Sequence, residues 1–163
     1  MLGDFGVGKT SLIRRFVERS FSDEYLSTVG VKISRKTVTV PELSQDIDLL
    51  IWDIEGQTKF KAVAPSYLQG AAAVIIVGDV TRPETVQHFQ EHIELFYHAS
   101  PTGKVILALN KTDLIEPEIG QKLETFLQGA IANVLGIYQT SAKTSANVDV
   151  IFERLAKQLI IAA

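Results

Sequence analysis

The run GDFGVGKT, Gly3 to Thr10, constrains this chain more than any other stretch of its length. It fits G-x-x-x-x-G-K-[ST], and directly after it Leu12, Ile13, Phe16 and Val17 share one helical face while Arg14, Arg15 and Glu18 look outward. A helix is therefore expected to start where the loop ends. A glycine-rich turn feeding a helix N-terminus aims backbone N–H groups and the positive end of the helix dipole at an anion, and Gly3, Gly6 and Gly8 permit an approach that a Cβ would obstruct. In such a loop Gly3, Asp4, Phe5, Gly6, Val7, Gly8, Lys9, Thr10 and Ser11 surround phosphates. Lys9 reaches the β- and γ-phosphates and Thr10 offers its hydroxyl to Mg²⁺. A strand should carry the loop, yet only Met1 and Leu2 precede it. The first strand reads as truncated, and Met1 is expected to be an internal methionine of a longer chain.

Downstream, AAAVIIVGDV (71–80) and KVILALNKTD (104–113) are apolar runs that end polar. They suit parallel strands buried on both faces, whose C-terminal ends deliver functional residues to a crevice. Helical spacing follows in Val86, Phe89, Ile93 and Phe96; in Leu123, Phe126, Leu127 and Ile131; and in Val148, Ile151, Phe152, Leu155 and Leu159. Residues 29–40 and 46–53 read as two strands joined by a turn containing Pro41, an antiparallel pair. Alternating strands and helices predict an α/β fold. With 163 residues the chain is expected to form one domain, residues 1–163.

Composition narrows the function. The net charge of −3, without a basic cluster, argues against nucleic acid as partner. The absence of cysteine excludes disulfides, zinc ribbons and thiol nucleophiles. No apolar run reaches the length of a membrane-spanning helix, so a cytoplasmic protein without direct membrane insertion is expected. His88 and His92 stand four apart on a predicted helix, a metal-compatible spacing; with no third ligand evident they are read as surface residues without a role. Lys59 and Lys61 are read as a solvated face.

The base is selected by NKTD, Asn110 to Asp113. A carboxylate such as Asp113 can accept from both N1–H and the 2-amino group of guanine, whereas adenine leaves a buried acceptor unpaired. In TSAK, Thr140 to Lys143, the backbone of Ser141 and Ala142 could meet the base carbonyl while Lys143 covers the ring. Each tetrapeptide alone is a weak signal; together and in this order they point to guanine.

With GDFGVGKTSLIRRF, STVG, WDIEGQ, SYLQGA, VGDVT, NKTD and TSAK in order over essentially the whole chain, the sequence resembles the Ras superfamily of small GTPases, most nearly its Rab-like members. The resemblance implies a P-loop NTPase of small G-protein type: a doubly wound, mostly parallel sheet of about six strands with helices on both faces. It implies a switch that binds guanine nucleotide and hydrolyses GTP to GDP and phosphate with Mg²⁺. Lys9 and Gln57 would be the catalytic residues. Phe21 would pack against the guanine, Tyr25 would close over the phosphates, and Asn110, Lys111 and Asp113 would join Lys143 around the base. Thr28 would join Thr10 on the metal, Asp53 would hold the metal through water, the Gly56 N–H would meet the γ-phosphate and Gln57 would orient the attacking water. Effectors, an exchange factor and an activating protein would read residues about 20–40 and 54–70. Plainer readings of Phe21, as a staple on the first helix, and of Gln57, as a solvated loop residue, stand beside these.

Departures from the family pattern qualify the expectation. Glu55 replaces a small residue in the second switch, and Phe5 takes a loop position where glycine or serine is common; both predict slow intrinsic hydrolysis. Lys32 and Ile33 stand where an acidic residue and phenylalanine are typical. No arginine lies between Ser20 and Val31, so any arginine finger must come from a partner. The C-terminal LAKQLIIAA offers no cysteine for prenylation, which leaves a truncated chain, a member that needs no lipid, or the GTPase module of a larger protein. A GTP-locked scaffold is the alternative to a turning-over switch. A P-loop kinase would have no use for NKTD and TSAK.

Overall fold

In the computed structural model, which describes residues 1–24, 28, 30–54 and 64–163, strands and helices alternate as the periodicities predict. The strands are β1 (Leu2–Gly3), β2 (Val31–Val40), β3 (Gln45–Ile54), β4 (Ala73–Asp79), β5 (Lys104–Asn110) and β6 (Gly136–Gln139). The helices are α1 (Lys9–Glu18), α2 (Ala64–Leu68), α3 (Pro83–Gln87), α4 (Phe89–Ala99), α5 (Pro117–Ala130) and α6 (Val148–Ala162).

β1, β4, β5 and β6 form a parallel sheet in that order. Its strands alternate between two apolar layers. Ile75, Val77, Ile106 and Ala108 meet α1 and α6 on one face, through Leu12, Phe16, Ile151, Phe152 and Leu155. Val74, Ile76, Val105, Leu107 and Leu109 meet Leu68, Val86, Phe89, Ile93, Phe96 and Leu127 on the other. Burial on both faces explains why β4 and β5 read as continuous apolar runs. The Phe16 and Phe152 rings stack at 4.1 Å and 8°, tying α1 to α6; such a pair contributes about 0.5–1.5 kcal/mol beyond its buried area.

β2 and β3 are antiparallel over their whole length, from Val31 opposite Ile54 to Val40 opposite Gln45, across a 3₁₀ turn at Pro41–Leu43. All six expected strands are present, but in two hydrogen-bonded sheets of four and two. β1 pairs through Leu2 and Gly3 with Ile76 and Val77, and among the described residues no ladder joins β3 to the larger sheet. The Met1 amine donates to the Trp52 carbonyl at 2.6 Å, and Val38, Val40 and Ile51 pack into the core beside α1 and α6. A groove of about 980 Å³ separates β3 from β4, floored in part by Phe152 and Leu155.

Two expectations from periodicity need correction. The helix expected across Val86 to Phe96 is divided at His88 into α3 and α4, although its four apolar residues are all buried. In α5, Phe126 is exposed; Gly120 and Leu127 form the buried stripe because the helix lies close to β6, where a Cβ on Gly120 would stand 2.2 Å from the Gln139 Oε1.

Candidate functional site

The C-terminal ends of β3 and β5 and the segments after β1, β5 and β6 surround a cavity of about 310 Å³. Such a crevice is where open α/β sheets place ligands. Its walls include Phe5, Gly6, Gly8, Lys9, Thr10 and Ser11 from the glycine-rich loop, and Phe21 and Thr28 from the segment after α1. Opposite stand Asn110, Lys111, Asp113, Ala142 and Lys143. Gly3, Asp4, Val7 and Ser141 lie behind this lining: the Gly3 carbonyl holds Lys9, Val7 is fully buried in the core, and Ser141 is buried against Asp113. Of the expected site residues, Tyr25, Gly56 and Gln57 fall outside the described residues, as do Glu55, Lys59 and Lys61.

Two glycines make the loop possible. Gly3 has φ +141°, and a Cβ there would meet the Val77 carbonyl oxygen at 2.3 Å; Gly8 has φ +102°, with a Cβ 2.3 Å from the Asn110 Nδ2. Both positions combine a backbone that side chains disfavour with a neighbour that has no room to move. Gly8 caps α1, whose first turn opens toward the cavity. The Lys9 Nζ donates to the Gly3 and Asp4 carbonyls, each at 2.8 Å, which keeps the ammonium over the loop.

Hydroxyl and carboxylate oxygens converge beside Lys9. The Thr10 and Thr28 hydroxyls are 2.7 Å apart, and the Thr10 hydroxyl also donates to Asp53 Oδ2. Asp53 is 2% exposed, yet its Oδ1 has no hydrogen-bond partner among the described residues. A buried carboxylate oxygen without a donor is costly unless a cation or water faces it. Two hydroxyls and a buried carboxylate, hard oxygen donors with one carboxylate oxygen left without a donor, suit Mg²⁺.

The opposite wall is braced by Asn110, which is 1% exposed. Its Nδ2 donates to the Val7 carbonyl at 3.0 Å and its Oδ1 accepts from the Thr140 hydroxyl at 3.2 Å, linking the glycine-rich loop, the end of β5 and the TSAK segment. Lys111, at φ +66°, donates from Nζ to the Gly6 carbonyl at 2.9 Å and to Asp79 Oδ2 at 2.6 Å. Asp113 accepts from the Ser141 hydroxyl at 2.6 Å. Its carboxylate is exposed in the cavity wall rather than buried as the sequence suggested.

Several residues that hold the site were missed from the sequence. Asp79, at the end of β4, is buried and accepts from Lys111, Arg82 and Thr81. Burial alone would push its carboxyl up, but these donors hold it below the usual carboxylate range. Arg15, expected to look outward, donates to the Ala142 and Lys143 carbonyls at 2.7 and 2.9 Å, while its guanidinium lies 5.8 Å from the Phe21 ring centroid. Arg82 donates from Nη2 to the Phe5 carbonyl at 2.6 Å. Arg19, by contrast, is paired with Asp149 on α6 at 2.5 Å, away from the cavity.

His88 and His92 are the clearest correction. They are not two idle surface residues: His92 is buried, and both rings meet the carboxylate of Asp4. Their i,i+4 spacing was the available signal, because it puts both imidazoles on one helix face, but the partner lies 84 and 88 residues away.

Comparison with known proteins agrees with this geometry. The Ras family model matches residues 1–161. Ras-related protein Rab-13 from Canis lupus familiaris is 36% identical over 99% of this chain and 78% of its own length. GTP-binding protein ypt5 from Schizosaccharomyces pombe is 38% identical over 98% of this chain and 75% of its own. Ras-related protein Rab-22A from Homo sapiens is 38% identical over 98% and 81% respectively. A glycine-rich loop facing paired hydroxyls on one side and the NKTD and TSAK segments on the other, in a chain matched from end to end, places this protein in the Ras family of small GTPases, beside its Rab-like members.

Proposed function

We propose that the protein is a guanine-nucleotide switch that cleaves GTP to GDP and phosphate with Mg²⁺, slowly unless a partner assists. The observation that carries this reading is a single cavity with Lys9, Thr10 and Thr28 on one side, Asp53 bonded behind Thr10, and Asp113, Ala142 and Lys143 on the other. Asp113 accepts from guanine N1–H and its 2-amino group, and the backbone beside Ser141 and Ala142 receives the base carbonyl. The α1 N-terminus and Lys9 hold the β- and γ-phosphates. Thr10 and Thr28 would hold Mg²⁺ with Asp53 behind them, and the ion when bound would supply positive charge to the phosphate oxygens. By family resemblance, Gly56 and Gln57 serve the γ-phosphate and the attacking water.

Loss of the γ-phosphate removes what Thr28 and residues after Ile54 are held by, and partners read that change through residues about 20–40 and 54–70. Ile33 and Tyr67 in those segments, with Trp52 beside them, are exposed apolar side chains suited to such contacts. Among the described residues no helix is long and apolar enough to cross a membrane.

Slow hydrolysis rests on Phe5, which is 39% exposed on the cavity wall where an attacking water and an incoming arginine would have to pass. Arg82 lies nearby, but its guanidinium is committed to the Phe5 carbonyl and Asp79, so it supplies no finger. The same ring favours the second reading, a GTP-locked scaffold. Mass spectrometry of the nucleotide released from purified protein, followed by single-turnover GTP cleavage, tests both. GDP and slow cleavage are expected. GTP recovered intact after prolonged incubation selects the scaffold, and retention of ATP rather than guanine nucleotide refutes the site assignment.

A further inference from the structure

We propose that His88 and His92 are positioning residues of the glycine-rich loop: acting together on the carboxylate of Asp4, they fix the loop's first half and set how fast bound nucleotide is released. This rests on the guanine-nucleotide reading above and adds to it residues on a helix that does not line the cavity.

The geometry is bidentate. His92 Nε2 stands 2.9 Å from Asp4 Oδ1, and His88 Nδ1 stands 2.6 Å from Oδ2. An ionised carboxylate only accepts, so both facing nitrogens carry protons. For His92 this assigns the Nε2–H tautomer and leaves Nδ1 as a lone-pair nitrogen, buried and without a partner among the described residues. His88 is the outer half of the pair, its side chain 43% exposed. Burial pushes the Asp4 carboxyl up, but the His92 and His88 hydrogen bonds outweigh it and keep the group below the usual carboxylate range.

The loop has its own reasons to need this hold. Asp4 follows Gly3, whose φ of +141° is sustained by contact with β4, and the Asp4 carbonyl is one of two anchors for Lys9. The next carbonyl, of Phe5, is held by Arg82 from the start of α3. The two ends of α3 thus reach into the loop at consecutive residues, Arg82 before its first turn and His88 at its junction with α4. Histidines at this spacing can bind metal, but here each facing nitrogen is taken by an Asp4 oxygen, and no group of three acidic, histidine or cysteine side chains placed to hold a metal ion occurs among the described residues.

The test compares release of fluorescently labelled GDP, chased with excess GDP, against the urea midpoint of each variant. In His88→Asn/His92→Gln the amide nitrogens take the places of Nδ1 and Nε2. In His88→Ala/His92→Leu both donors are gone; a third variant adds Asp4→Ala to the latter. Donor removal is expected to speed release on the order of tenfold or more, and the amide pair to restore it to within about threefold. Adding Asp4→Ala should recover the urea midpoint, because the stranded charge is gone, without restoring slow release. Parental release from the donor-free variant overturns the proposal, as does slow release regained with Asp4→Ala, which would make the histidines mere charge partners. If the donor-free variant does not fold, His88→Ala alone carries the test, with faster release expected and parental release refuting it. A parent chain that retains no labelled GDP at all is a distinct failure: it refutes the nucleotide reading and this proposal together.

Discussion

Replacing Asn110 by alanine removes the brace between the two halves of the site, and its cost follows from its partners. The Nδ2 bond to the Val7 carbonyl is lost; Val7 is fully buried, and that bond at 3.0 Å reaches it from 103 residues away. A net hydrogen bond is worth about 1 kcal/mol, and a stranded buried carbonyl adds about 1–3 kcal/mol. Thr140 loses its acceptor too, but its hydroxyl can fall back on the Leu109 carbonyl at 3.4 Å, so little is added there. The sum is about 2–4 kcal/mol, or roughly 5–15 °C in midpoint for a chain of this size. Asn110→Asp keeps the volume but sets an acceptor against the Val7 carbonyl, so it should cost more than alanine. Urea unfolding in EDTA without added nucleotide isolates the protein term from ligand linkage. An alanine cost below about 1 kcal/mol, or an aspartate variant more stable than the alanine one, refutes the brace.

Other outcomes follow from the same geometry. Phe5→Ser should raise single-turnover GTP cleavage by about tenfold while leaving the fold intact, since the ring is exposed; an unchanged rate clears Phe5 of responsibility. Arg15→Met removes the donors to the Ala142 and Lys143 carbonyls but keeps much of the stem, and should speed GDP release severalfold with a small loss of stability, read by stopped-flow and thermal unfolding.

Much of the fold could be read from local pattern because its physics is local. β4 and β5 are buried on both faces and so are apolar throughout, and the 3.6-residue stripe of α1 shows which side meets the sheet. The glycine-rich loop was equally legible, since the spacing of Gly3, Gly8 and Lys9 marks the turn that feeds α1. What escaped were polar residues whose partners are distant. Nothing near Arg15 marks it as a support for carbonyls 127 and 128 positions on, and His92 looks like a surface residue until Asp4 is set against it. Phe126 shows the opposite failure: apolarity placed it in the core, while the close approach of Gly120 to β6 turned the helix so that it faces water.

The division of the strands into a parallel four and an antiparallel two also bears on how the molecule comes apart. Within each group backbone ladders make opening cooperative; between them, side-chain packing of Val38, Val40 and Ile51 carries much of the load. Amide exchange should therefore proceed in two tiers, with β4 and β5 protected up to global unfolding and β2–β3 released earlier as a separate cooperative unit. The β2–β3 pair can loosen while the NKTD and TSAK segments, joined by Asn110 and Thr140 at the ends of β5 and β6, keep their arrangement.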